Sequence, residues 1–151
     1  MENLLLNGIS HQEGVLFAVP AIIRFTVGPF FLISGFHKLF NPVRRHNLKL
    51  TFVADGCYNP ALMWAIPLGE FFGGLALTVG FLTVVAAFGL VALCLGACFL
   101  DGFKRIPSMV PLDKADAVDD VLYLPEVLYI GMLWVVILIG PGALSLDHLF
   151  F

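Results

Sequence analysis

The chain has 151 residues, 60% of them hydrophobic and 13% charged, with a formal net charge of -3 and a mean hydropathy of +0.96. Soluble domains are about 45–50% apolar and about 25% charged, so this composition excludes a soluble globular protein and assigns the chain to the membrane. At roughly 20 apolar residues per spanning helix, the length leaves room for three to five helices and no separate soluble domain.

Residues 1–14 hold a leucine cluster and no Lys or Arg, and read as an interfacial lead-in. They lack the positive start of a signal peptide, and the apolar stretch after them is too long for its hydrophobic region. That stretch is therefore expected to stay as a first membrane helix at about 16–39. Its only charge between Glu13 and Lys38 is Arg24. Arg24, Gly28, Phe31, Gly35 and Lys38 follow 4-3-4-3 steps and share one stripe. A basic connector, Asn41 to Lys49, comes next, with a short interfacial turn over Leu48 to Ala54. Asn59-Pro60 has the form of an N-cap with proline in the first turn, which starts a second helix at about 60–78. Pro67 within it removes a backbone donor just before Glu70.

Gly80-Phe81-Leu82-Thr83 reads as a tight hairpin into a third helix at about 84–100, rich in Ala and Gly as a packed helix requires. Residues 101–120 are the most polar stretch and carry Pro107 and Pro111, so a loop is expected there, solvated or facing a partner along Asp113 to Asp120. A fourth helix is expected at about 121–139, with Glu126 near its start, ended by Gly140-Pro141-Gly142. The tail closes on Phe150 and Phe151, which suit an interface. The fold class is thus all-α: an integral membrane four-helix bundle forming a single domain over 1–151, with a short hairpin between helices 2 and 3.

Seven of the eight basic residues fall in or beside the first and third connectors, and the eighth is Arg24. By the positive-inside rule both connectors face the cytoplasm, and the hairpin and both termini face out. The same basic residues would attract anionic lipid.

Glu70 organises the site reading, because it is the only charge between Asp55 and Asp101. A charge in hydrocarbon costs roughly 3 kcal/mol or more, so the carboxyl must be neutral, paired or wet. Gly69 and Gly73 flank it, spaced for another helix to approach. If Lys38 and Pro60 mark the same membrane level, Arg24 lies about 21 Å deep and Glu70 about 15 Å deep. On that register the two antiparallel helices bring Arg24 and Glu70 within reach of a buried ion pair. The bland alternative is an Arg24 that snorkels outward beside a protonated Glu70.

Cys94 and Cys98 lie one turn apart on one helical face and read as small packing residues in a reduced compartment. With Cys57 they form neither a CxxC redox pair nor a disulfide framework. The four histidines, His11, His37, His46 and His148, all fall at boundaries or in loops, so no haem or copper set is assembled. His37 is in reach of a lipid or quinone head, although boundary solvation accounts for it. No metal site and no catalytic residue is assigned. No basic, aromatic-interleaved patch of the kind nucleic acid requires is present.

Three blocks together resemble the DoxX family of small four-helix membrane proteins. They are Arg24-x3-Gly28-x6-Gly35-x2-Lys38-Leu39, then Glu70-x2-Gly73-Gly74-Leu75 with Gly80-Phe81-Leu82-Thr83, and Gly140-Pro141-Gly142-x2-Ser145-Leu146-Asp147. The resemblance implies a four-helix bundle and an association with membrane redox systems. The family takes its name from a subunit of a thiosulfate:quinone oxidoreductase, and other members are linked to oxidative-stress complexes. The motif positions carried over are Arg24, Gly28, Gly35, Lys38, Glu70, Gly73, Gly74 and Asp147. The long acidic connector at 101–120 departs from the pattern. Small size, glycine-lined faces and the resemblance together point to an accessory subunit, not catalytic on its own. It would dock on a larger redox or energy-converting complex in a bacterial cytoplasmic membrane, contacting lipid and other membrane subunits. The rival is a quinone-reactive subunit, with Arg24, Glu70 and Phe36, Phe71 or Phe72 around the quinone head. A carrier of a small solute or lipid is third, disfavoured by the scarcity of polar lining residues.

Overall fold

The computed structural model describes residues 2–54, 56, 58–102, 104 and 121–150, with side chains from Ala18 onward. Cys57, most of the 101–120 connector and Phe151 lie outside these residues, as does the side chain of His11. Every regular element among them is helical.

Helix α1 runs Glu2–Phe40, continuous through Pro20 and Pro29. The expected lead-in is therefore part of the helix, consistent with the absence of any Pro before residue 20 and with Leu and Gln, both good helix formers. The basic connector is also a full helix, α2, over Pro42–Ala54. Its first turn is capped by the Asn41 side chain, which accepts from the Val43 N–H at 3.0 Å, and Pro42 stands where its missing donor is harmless. The same device starts α3, Pro60–Val79, where Asn59 accepts from Ala61 at 2.9 Å. Gly80 ends α3 in the left-handed region at φ 79°, donating to Ala76 O.

Helix α4 spans Thr83–Ala97 and widens into a π-helical turn at Cys98–Gly102. The fourth bundle helix, α5, begins at Pro125 and ends at Ile139. The expected start at 121 is interrupted because Leu124, preceding a proline, is held extended (φ -69°, ψ 120°). A single turn, α6, covers Asp147–Phe150.

Helices α1, α3, α4 and α5 pack in a ring, α1 on α3, α3 on α4, α4 on α5 and α5 back on α1. Val27, Phe31, Leu77, Leu90, Leu133 and Val136 fill its centre. Three segments are long and apolar enough to cross a membrane: Ala18–Phe40, Pro60–Val79 and Thr83–Gly102; α5 is as apolar but shorter. Phe25, Phe72, Val85, Phe99 and Leu138 point outward, which suits hydrocarbon rather than water.

The closest approach is α1 against α3. A Cβ on Gly28 would strike the backbone of Thr78, one on Gly35 the backbone of Phe71 and Pro67, and one on Gly74 the backbone of Leu32 and Gly28. Those atoms belong to two rigid helices and have nowhere to move. Gly69 and Gly73 turn instead towards α4 and meet the more yielding side chains of Leu93 and Leu90. Gly74→Leu is accordingly expected to destabilise the bundle by about 1–3 kcal/mol or more, read as an unfolding midpoint in denaturing detergent. Gly89→Ala, at a position open on all sides, should leave that midpoint unchanged.

Candidate functional site

The α1–α3 contacts set a register that separates the two charges expected to pair. With Gly28 against Gly74 and Thr78, and Gly35 against Pro67 and Phe71, Arg24 is level with Gly80 and Glu70 with Ser34. Those levels are about 15 Å apart along the axis. Arg24 and Glu70 are not brought together, and each belongs to its own polar centre. The expected register failed because Lys38 is not a boundary residue: it lies more than a turn inside the level of Pro60.

At the hairpin end, Arg24 is wholly buried yet has four hydrogen bonds. Its Nε donates to Leu77 O at 2.9 Å, Nη1 to Pro141 O at 2.8 Å and Leu144 O at 3.0 Å, and Nη2 to Thr78 O at 3.2 Å. The guanidinium fork thus satisfies the orphan carbonyls at the end of α3 and binds the loop after α5 to them. Asp147 completes the arrangement. Its carboxylate accepts from the N–H groups of Leu82 and Thr83, both at 2.7 Å, and so caps α4 through a side chain from the far end of the sequence. Its own N–H donates to Gly80 O at 2.9 Å. Burial pushes the Asp147 carboxyl up, but the hydrogen bonds from Thr83 and Leu82 and the field of Arg24 outweigh it and hold the group below its ordinary value. Gly80 is needed twice here, for its left-handed backbone and because a Cβ would run into the Arg24 guanidinium and Ser145.

At the opposite, basic end, Lys38 Nζ donates to Glu70 Oε1 at 2.5 Å and Ser34 Oγ donates to Oε2 at 3.0 Å. Glu70 is 10% exposed in its side chain and Lys38 28%. This ion pair separates two hollows. The larger, about 530 Å³, lies between α2, α3 and the π-helical end of α4, with Phe52, Leu62, Ile66 and Leu93 among its walls. The smaller, about 170 Å³, lies under Phe31, Cys94 and Tyr129. Glu126 borders both. Phe36 and Phe72 point outward, and Phe71 borders neither hollow, so the aromatic residues expected around Glu70 give way to others, Phe52 in the larger hollow and Phe30, Phe31 and Tyr129 in the smaller.

Sequence reasoning missed Ser34 and the pairing role of Lys38. The signal was present, since Lys38 shares the Arg24 stripe of α1 and Ser34 lies one turn before it. Cys94 and Cys98 are buried and free of disulfide, as small packing residues should be. His37, His46 and His148 are exposed. Among the described residues no group of His, Cys, Asp or Glu is gathered to hold a metal ion.

A ring of apolar helices with an outward hydrocarbon face and two internal polar centres defines a helical membrane protein. The DoxX family model matches residues 19–101, more than half of the chain, from within α1 to beyond the end of α4, so the chain belongs to the DoxX family. No curated protein and no solved structure matches it.

Proposed function

We propose that the protein is an accessory membrane subunit that holds the head of a membrane-dissolved quinone at the Lys38–Glu70 end of the bundle and serves a larger redox complex. In this reading all four long helices cross a bacterial cytoplasmic membrane, with the basic end inside, as the bias of Lys and Arg requires. The observation that carries it is the hollow of about 530 Å³ that opens onto a part-buried ion pair. Small-molecule sites run to about 300–1,000 Å³, mostly apolar with a few convergent polar groups.

The residues suit a quinone. Its ring carbonyls are acceptors, and the Lys38 ammonium is a donor at the mouth of the hollow. Glu70 is an acceptor for the hydroxyls of the reduced form, and Leu62, Ile66 and Leu93 suit an isoprenoid tail. A bound quinone would supply two-electron redox chemistry, while this chain would orient the head and keep water from it. Support for the accessory role comes from DoxX membership.

The test is to purify the protein from native membranes and to measure extracted quinone and co-purifying proteins. Quinone should be retained by the native chain and lost in Glu70→Gln. Equal quinone in the two would sink the binding reading, and a lone monomer without stable neighbours would sink the accessory one.

A further inference from the structure

Helix α2 and the start of α3 form a third feature that the quinone reading does not use. A cleft of about 360 Å³ lies between them, floored by Pro60 and Met63. Arg45 and Lys49, one turn apart on α2, both face it. The Arg45 guanidinium lies 3.7 Å over the Trp64 ring and the Lys49 ammonium 5.6 Å from the centre of Tyr58. His46 stands beside them. Every charged side chain that lines the cleft is basic, and among the described residues neither Arg45 nor Lys49 pairs with a carboxylate. A guanidinium over an aromatic face keeps its N–H edge, which lies in the guanidinium's own plane, open to a bidentate acceptor.

Two further observations choose among acceptors. Trp64 comes four residues into α3, about 6 Å along it, the depth at which Trp and Tyr line a membrane–water boundary. Directly below it, Leu68 and Phe72 continue an exposed apolar stripe at helical spacing. A basic mouth at the interface that leads onto an apolar stripe has the shape of a phospholipid, head above and chain below.

We propose that this cleft is a binding site for the phosphodiester headgroup of an anionic phospholipid, held by Arg45 and Lys49 against Trp64 and Tyr58, with an acyl chain along Leu68 and Phe72. A soluble phosphate ester shares the head chemistry but has no use for the stripe. The site stands apart from the Lys38–Glu70 hollow and is independent of what that hollow binds.

The experiment is lipid retention by the full chain in neutral detergent, read by native mass spectrometry with phosphatidylglycerol or phosphatidylcholine added. Phosphatidylglycerol should be retained at least about fivefold better, the effect of one basic group near an anionic surface. Arg45→Gln and Lys49→Gln should each weaken it by about fivefold, with the unfolding midpoint recorded beside them. Arg45→Lys, which keeps the charge, should retain the preference for the anionic lipid. Arg44→Gln, which removes an equal charge from α2 outside the cleft, should leave retention within about twofold of the native level. Equal retention of phosphatidylcholine, or equal loss in Arg44→Gln, would overturn the proposal. So would displacement of the lipid by glycerol phosphate at equal concentration, since the site would then be one for a soluble ester.

Discussion

Arg24→Met is expected to lower the stability of the bundle by about 4 kcal/mol or more, measured by unfolding in denaturing detergent. The variant removes the side-chain donors to the buried Leu77 O and the part-buried Thr78 O, Pro141 O and Leu144 O, and an acceptor left unsatisfied costs about 1–3 kcal/mol when fully buried and less where water reaches it. Methionine keeps much of the volume, so the loss is one of hydrogen bonding rather than of packing. Arg24→Lys separates charge from geometry: an ammonium has three donors on a narrower head and lacks the planar fork that spans two chain segments. It should recover only part of the loss. The failure should also be local at first, releasing the loop at Pro141 to Ser145 and with it the Asp147 cap on α4. Protease cleavage within that loop is a second readout. If Arg24→Met folds with normal stability and only quinone retention falls, Arg24 is a ligand group and not a strap.

The strap explains how residues so scattered in sequence come to act together. Arg24, Gly80 and the Gly140 to Asp147 block lie far apart in sequence yet form one knot, in which α1 supplies the guanidinium, α3 and the last loop the carbonyls, and Asp147 the cap of α4. A buried cation with four of its five donors on carbonyls holds helix ends without needing a carboxylate at contact distance. An opposite charge is the natural partner to seek for a buried arginine, and Glu70 is the nearest candidate by count. Backbone carbonyls carry no sequence signature, so the true partner set of Arg24 was not legible.

Much else was. Hydropathy and the Asn-Pro and Gly punctuation located α3, the hairpin and the end of α5 within a few residues, because caps and breakers act locally. Besides the start of α1, which runs back through the expected lead-in to Glu2, two boundaries were missed for opposite reasons. Asn41 to Lys49 reads as a basic connector with only a short interfacial turn over Leu48 to Ala54, yet Asn41 and Pro42 start a continuous helix there and Phe52 packs it inward. The 121–139 segment reads as one apolar helix, yet Pro125 delays its start. The site was half legible. Glu70 stood out by its isolation, but its partner depended on the α1–α3 register. That register is fixed by which glycines meet which backbone, a tertiary fact. Aligning Gly28 and Gly35 with Gly74 before matching charges would have placed Glu70 opposite Ser34 and within reach of Lys38.

The Lys38–Glu70 pair then sets up a cycle that separates a clamp from a binding site. Glu70→Gln preserves shape and an acceptor for Ser34 but leaves the Lys38 ammonium without its carboxylate. Lys38→Met does the converse. Breaking a fully buried pair costs about 3–5 kcal/mol, and the 28% exposure of Lys38 lowers the expectation to about 1–3 kcal/mol for each single variant. Replacing both partners with apolar residues of similar size often leaves stability unchanged, so Lys38→Met combined with Glu70→Met should fold about as well as the native chain. Stability and ligand retention should therefore part company: the singles lose both, while the double variant regains stability and still fails to retain quinone, having lost the one donor and the one acceptor assigned to the quinone head. A double variant that recovers quinone along with its unfolding midpoint would show that the pair only holds α1 to α3, and the binding reading would fall with it.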